Sequence, residues 1–540
     1  MKKKHILKNS QTVKKNNSYF KLICKTPNWL ISAILYGFSW NMFFDVNLSF
    51  IAWFAFIPLF ISLENKNTFW SFYKPALFFS LVAYFIICNG FLLVPQKVLL
   101  VFAGALDELL MSSISFALFY PFKKKFGFDK SLIIFPFIIA LWEWIYQWLD
   151  NTSGYLMLSH SQCQNIWIIQ FIDIFGVWSI ASWVMAFNVL LFFQFKKNQK
   201  KLFSFSFIKK ISFICCIMIL PPLIYMQIRY MQISKQPKQE INITLINTNF
   251  SLFASDTYNG YISKIERLTY ITDSIDFELK NRGAKSDLYV WHEAAVDHGN
   301  DKMFYGFIDT AVTDWKTPLL VGMQMIPYDA PSNDRRRVNR ATLIQRGISQ
   351  IEYQYYDKVH LSPGYEKIPY LNFLSKIPFF PISINDSGYY KAAKHIQLIE
   401  LKTQDGRKIK LGTPICVEQN YPAIWSDMAV AGAECFVQLS YEAWWPTKYF
   451  QKQMANITRL RCIETRRSVG RCSNGGITEF IDSYGSIKLQ AETPEGSLTT
   501  QLSLNNEITF FSKYYWNYPV LCLLFIAFFC AFQLFFKMKT

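Results

Sequence analysis

The chain divides into two hydropathy regimes. From Trp29 to Gln227, apolar runs follow one another with short polar breaks: Trp29–Phe44, Leu48–Leu63, Ala76–Val94, Val98–Phe122, Ser131–Leu149, Trp167–Phe195 and Ile211–Gln227. One more run, Pro519–Phe536, lies near the carboxyl end. Each is roughly 16 to 29 residues long, near the ~20 that cross a bilayer as a helix, so the pattern predicts a polytopic α-helical membrane domain of about eight spans. From Pro237 to Lys513 the pattern changes. Strand-like runs (INITLINTNF, SDLYVWHEA, PLLVGMQMI, ECFVQLSY) alternate with helix-like ones (YISKIERLTYITDSIDFELKNRG, YFQKQMANITRLRCIETRR), which predicts a layered α/β domain.

Composition and charge fix the arrangement of these parts. A chain of 540 residues that is 51% hydrophobic, with 51 phenylalanines, is too apolar for an ordinary soluble protein. The opening MKKKHILKNSQTVKK is polybasic and has no small-residue cleavage site, so residues 1–28 are expected to be a cytoplasmic tail. Alternation from there puts ENKNTFWSFYK, KKKFGFDK, KKNQKKLFSFSFIKK and KMKT on the tail's side, and their combined charge with the tail exceeds the +18 of the whole chain. That is a positive-inside signature. The expected layout is therefore a membrane domain over 29–236 with about seven helices, an extracytoplasmic domain over 237–513, and a last helix with a short tail over 514–540. With the basic residues used by topology, no stripe remains to bind nucleic acid.

Candidate chemistry gathers around LGTPICVEQNYP, where Cys416 follows the strand-like RKIKLGTPI and precedes Val417 and Glu418. Glu293 closes the apolar run of SDLYVWHEAAV, and YDKVHLSPGYEKIP carries Lys358 and Glu366. Taken singly, each has a plainer reading: a packed core thiol, a strand-end charge, a solvated loop lysine. Together, a carboxylate, an ammonium and a cysteine make a complete acyl-transfer set, because a thiol needs a base and a developing oxyanion needs a cation or N–H donors. Asp107, Glu108, Glu143 and Asp173 lie within the apolar runs and are expected to face protein or water. No C-x-x-C and no closely spaced histidine pair is present, so neither a metal site nor a cofactor is expected.

The segments DLYVWHEAA, YDKVHLSPGYEKIP, ICVE and RLRCIETRRSVGRCSNGGIT, in that order, resemble the motifs of the nitrilase (carbon–nitrogen hydrolase) superfamily, and within it the apolipoprotein N-acyltransferase family. EWIYQWLDNTSGYLMLSHSQCQ and the apolar run after it resemble the family's membrane part more loosely, with Gly154, Ser159 and Gln162 matching. The resemblance implies an extracytoplasmic nitrilase-like αββα sandwich with Glu293 as general base, Lys358 as oxyanion-stabilising lysine, Cys416 as nucleophile, and Glu366 and Glu418 as supporting carboxylates. It also implies a phospholipid acyl donor, a diacylglyceryl apolipoprotein acceptor, a bacterial inner (cytoplasmic) membrane with the catalytic domain on the periplasmic side, and a monomer that completes its site within one chain. The backbone N–H of Val417 is expected to share the oxyanion.

Apolar material suited to lipid lies nearby. FLSKIPFFPISI, with Phe379 and Phe380, is expected to be a membrane-dipping lid, and Trp444 and Trp445 of YEAWWP to bound an acyl groove. The chain departs from the family pattern at His292, where proline is usual, at Val417, where an aromatic is usual, and at SYEAWW, which replaces S-N-D-x-W-F. Two other classes compete: a membrane-anchored amidase that passes the acyl group to water, and a non-catalytic polytopic scaffold. Cys163, Cys416, Cys435, Cys462 and Cys472 fall on the expected outer side, where up to two disulfides are allowed.

Overall fold

The computed structural model describes residues 27–539 apart from 41–45, 90–97, 199–203, 236–238, 251–257, 298–301, 328–329, 332–333, 335, 348–349, 378–389, 444 and 446. Among these, four helices are long and apolar enough to cross a membrane: Phe69–Ile87, Trp178–Lys197, Phe205–Ser234 and Asn517–Phe535. Several expected spans are shorter or broken. The run from Leu48 becomes a short 3-10 helix, Ser49–Trp53, and then Ile57–Glu64, which opens on a proline. The run from Trp167 is interrupted at Gly176, whose φ of 74° and contact with Phe511 leave no room for a Cβ, so the long helix starts only at Trp178. Helix Phe205–Ser234 runs past its apolar stretch at both ends, opened by Ser204, whose hydroxyl accepts from the Phe207 N–H.

The α/β part is a two-sheet sandwich. Strands β1 (Gln239–Asn247), β2 (Leu288–Val296), β3 (Leu319–Met325), β4 (Val338–Arg346) and β5 (Ile351–Asp357) belong to the first sheet. Strands β6 (Ile399–Lys402), β7 (Lys408–Gly412), β8 (Cys435–Tyr441), β9 (Val469–Asn474), β10 (Glu479–Ile481) and β11 (Ile487–Gln490) form the second, in the order β11-β10-β9-β8-β7-β6. β12 (Gly496–Leu504) returns to the first, giving β12-β1-β2-β3-β4-β5. The period of two in β2 shows how one strand serves two layers: Leu288 and Val290 join the core between the sheets, whereas Tyr289 and Trp291 pack under the outer helices Tyr258–Asn281 and Lys302–Trp315. Helices Pro422–Val430 and Lys448–Thr465 cover the second sheet, completing an αββα stack.

Helix Lys448–Thr465 is shared between the two parts. Cys462 faces the sandwich core, while Phe450, Met454, Ile457, Leu460 and Ile463 belong to the same apolar cluster as the membrane helices. A buried ionic network locks this junction. Arg466, in the left-handed conformation just past the helix, bonds Asp173 and Gln170, and Arg229 bridges Asp173 to Glu507. Asp173 thus faces protein, as does Glu143, which accepts from the Ser159 hydroxyl at 2.9 Å. The Asp107 and Glu108 side chains lie outside the described residues.

None of the disulfides that the outer side would allow is present among the described residues. Cys163, Cys435, Cys462 and Cys472 are free and buried, and the last three behave as small apolar side chains within the sandwich core.

Candidate active site

Three local breaks in regular strand structure deliver the site. β2 pairs with β3 in register up to Trp291, slips, and resumes at Val296. The slip holds Glu293, and Ala294 after it takes φ 51°, in the left-handed region. β3 accommodates the bulge with Gly322, where a Cβ would fall 2.4 Å from the His292 carbonyl oxygen. Lys358 is the first residue past β5, its N–H bonded to the Asn339 carbonyl on β4. Glu366 follows in the loop that Ser362 ties back through its N–H, 2.7 Å from Oε2. The strand expected to reach the cysteine ends earlier, at Gly412. Pro414 has no N–H for the ladder, Ile415 makes one isolated bridge to Leu439, and Cys416 opens a 3-10 turn with φ 51°.

These breaks bring buried Glu293, Lys358 and Glu366 together with half-buried Cys416. Lys358 Nζ lies 2.9 Å and 2.8 Å from the two Glu366 oxygens and 3.4 Å from Glu293 Oε1, with 1% of its side chain exposed. Asn339 Nδ2 donates to Glu293 Oε1 at 2.7 Å and to Glu366 Oε1 at 2.8 Å, so one amide holds both carboxylates. Glu293 Oε2 is buried with no hydrogen-bond partner among the described residues.

The electrostatics assign a different state to each group. Burial alone would discharge Lys358, but Glu366 and Glu293 beside it hold its pKa well above the usual lysine range, so it stays an ammonium. Burial pushes Glu366 up, yet the Lys358 charge and the Ser362 and Asn339 donors hold it below its usual value. Glu293 ends raised, because burial and the Glu366 charge together outweigh Lys358. The Cys416 thiol is pushed well up by burial and then by Glu293, with Lys358 opposing. A protonated thiol thus sits in the field of a carboxylate of raised basicity and a fixed cation.

Glu418 ties two of the loops together. Its Oε1 accepts from Tyr356 Oη at 2.7 Å, Val359 N at 2.8 Å and His360 N at 3.1 Å, and its Oε2 accepts from Ile415 N at 2.7 Å. The Lys358 loop and the Cys416 loop are thereby pinned to one fully buried carboxyl, which burial raises to about 7. Val417 packs against the sandwich core.

Trp445 has its ring 4.1 Å from Phe450 and packs against the membrane-side apolar cluster. Trp444, Phe379 and Phe380, with most of the expected lid, lie outside the described residues. The roles of Asn339 and Tyr356 were missed by motif reading; β4 is VNRATLIQR, so one more polar residue in it gave no signal.

Residues 32–190 match the apolipoprotein N-acyltransferase N-terminal domain, and residues 280–508 match the carbon–nitrogen hydrolase family. This chain belongs to the apolipoprotein N-acyltransferase family. The apolipoprotein N-acyltransferase of Chlorobaculum tepidum is 28% identical to it, over 92% of this chain and 93% of its own. Apolipoprotein N-acyltransferase 2 of Treponema denticola is 24% identical over 73% and 76%. Among solved structures, Saccharomyces cerevisiae Nit3, a member of branch 10 of the nitrilase superfamily, overlaps 51% of this chain and 94% of its own at 16% identity, with a TM-score of 0.35.

Proposed function

We propose that this family member moves an acyl chain from a phospholipid to the α-amine of the diacylglyceryl-cysteine that begins a lipoprotein, through a thioester on Cys416. The observation that carries the reading is the Lys358 ammonium held between two carboxylates of opposite tuning, beside a half-buried thiol. Glu293 takes the thiol proton, and the thiolate attacks the ester carbonyl. Lys358 and the Val417 N–H stabilise the oxyanion as the tetrahedral adduct forms. The adduct collapses, the alkoxide takes the proton back from Glu293, and a lysophospholipid leaves. The amine then attacks the thioester, gives its proton to the site, and departs as an amide while Cys416 is restored. Glu366 keeps Lys358 charged and Glu418 keeps the two loops in register.

The reading places about eight spans in the bacterial inner membrane, with the catalytic domain on the periplasmic side, in keeping with the lysine distribution. Phe373–Ile384 serves as the lid, Trp444 and Trp445 line the acyl path, and one chain completes one site.

The test is intact-mass analysis of the purified protein after incubation with phosphatidylethanolamine, beside Cys416→Ala. An added acyl mass that hydroxylamine removes, and that the variant lacks, is expected. No adduct across several phospholipids would overturn the donor assignment and turn attention to amide hydrolysis.

A further inference from the structure

His292, the departure from the family pattern that immediately precedes Glu293, is fully buried between the rings of Phe250 and Tyr441. Its Nδ1 lies 2.7 Å from the Glu293 carbonyl oxygen and its Nε2 lies 2.8 Å from Thr248 Oγ1. A carbonyl oxygen can only accept, so the proton is on Nδ1. Burial, and then the Lys264 ammonium, push the imidazole down to about 3, which leaves a neutral ring whose Nε2 is an acceptor facing the Thr248 hydroxyl.

Thr248 is itself anchored in the opposite sheet. Its Oγ1 is 2.8 Å from Asn474 Oδ1, so its one hydroxyl proton is contested between His292 and Asn474, and its carbonyl accepts from Gly475 N at 2.8 Å. The Asn474 amide cannot turn, because Phe250 N donates to its Oδ1 and its Nδ2 donates to the Phe250 carbonyl, both at 2.9 Å. The imidazole is therefore a strut that runs from the end of β9 to the peptide following Glu293. That peptide needs support: it stands where β2 loses register, next to Ala294 in the left-handed region. On its far side Lys264 Nζ donates to the Ala294 carbonyl at 2.6 Å. Without both holds, β2 relaxes toward regular pleat, which turns the Glu293 side chain off its bond to Asn339 and away from Lys358.

We propose that His292 is a positioning residue for Glu293, doing with a side-chain hydrogen bond what a ring-constrained backbone does where proline stands; the proposal rests on Glu293 acting as the base toward Cys416. Three variants separate its two bonds. His292→Asn keeps a donor near the Nδ1 position, His292→Gln keeps a polar group near the Nε2 position, and His292→Phe keeps the ring volume with neither. The readout is the single-turnover rate of the Cys416 adduct with phosphatidylethanolamine vesicles, with its dependence on donor concentration and the thermal midpoint of each variant.

His292→Asn is expected within about threefold of the wild type, and His292→Gln and His292→Phe slower by about 10- to 100-fold, or ~1.4 to 2.8 kcal/mol of activation free energy. The donor concentration giving half the maximal rate is expected unchanged in all three. Wild-type rates in His292→Phe, or equal slowing of all three in step with lost thermal stability, would overturn the positioning role. A wild-type protein that forms no adduct removes the catalytic reading, and the proposal with it.

Discussion

Glu366→Gln isolates how the site sets the basicity of Glu293. The two carboxylates share the Asn339 amide at 2.7 Å and 2.8 Å, so their Oε1 atoms are no more than about 5.5 Å apart. At that separation and an effective dielectric of about 20, two full negative charges repel by ~3 kcal/mol, which favours the protonated form of Glu293. The Glu293 carboxyl is raised by burial first, lowered by Lys358, and raised again by Glu366. Removing the Glu366 charge deletes the last influence and leaves Lys358 with one anionic partner, so the Glu293 pKa falls. Two effects follow. The acid limb of the rate of thioester formation against pH moves to lower pH, and the plateau drops because a weaker base drives the proton transfer less. The assay is the rate of acyl-adduct formation by intact mass across a pH series at saturating phospholipid. A lowered plateau with an unmoved acid limb would refute the electrostatic account and leave Glu366 with only a structural part.

Other expectations follow from the same geometry. Asn339→Leu removes the amide that holds both carboxylates and leaves two buried oxygens short of a donor, so the adduct rate should fall by about 10- to 100-fold while donor half-saturation stays put. Glu418, Glu464 and Glu479 are buried and each raised to about 7, above their unfolded value near 4.5. The folded chain therefore holds more protons than the unfolded one between those values, and the thermal midpoint should fall as pH rises from about 5 to about 8. Glu418→Gln should flatten part of that slope, yet lower the midpoint at acid pH by the loss of an acceptor worth ~1 to 3 kcal/mol. Arg466→Met strips Asp173 of one of its two arginines inside the junction, which should cost ~3 to 5 kcal/mol and show as a lower denaturation midpoint and faster proteolysis between the two parts.

What the sequence revealed depended on whether a property was local. Glu293, Lys358, Glu366, Cys416 and Glu418 stand in short motifs, and the fold gathers all five. The apolar run of β2 announced a buried strand, and it is one. Asn339 was not legible because its meaning comes from partners 46 and 27 residues away, which only the order β2-β3-β4-β5 brings together. The end of β7 was misjudged by a few residues for a local reason: apolar patterning continues through Ile415, but Pro414 and the φ of Cys416 stop the ladder. The membrane part shows the same division. Hydropathy located the apolar runs, yet it does not see the break at Gly176, where the close approach of Phe511 decides the backbone.

The cysteines extend this to chemistry. Counting five outer-side thiols allowed two disulfides, but Cys435, Cys462 and Cys472 fill apolar core positions of the sandwich and Cys163 packs among the membrane-side apolar residues. Burial raises the pKa of each of these four thiols, which keeps them protonated and unreactive. Cys416 is the half-buried one of the five, and desolvation raises its thiol too, so a raised pKa does not separate it from the others. What distinguishes it is company: Lys358 and a carboxylate whose own proton affinity has been lifted toward that of the thiol. Reactivity at this site is thus a property of the pair of loops that Glu418 holds together, and a substitution that loosens either loop should silence the cysteine without touching it.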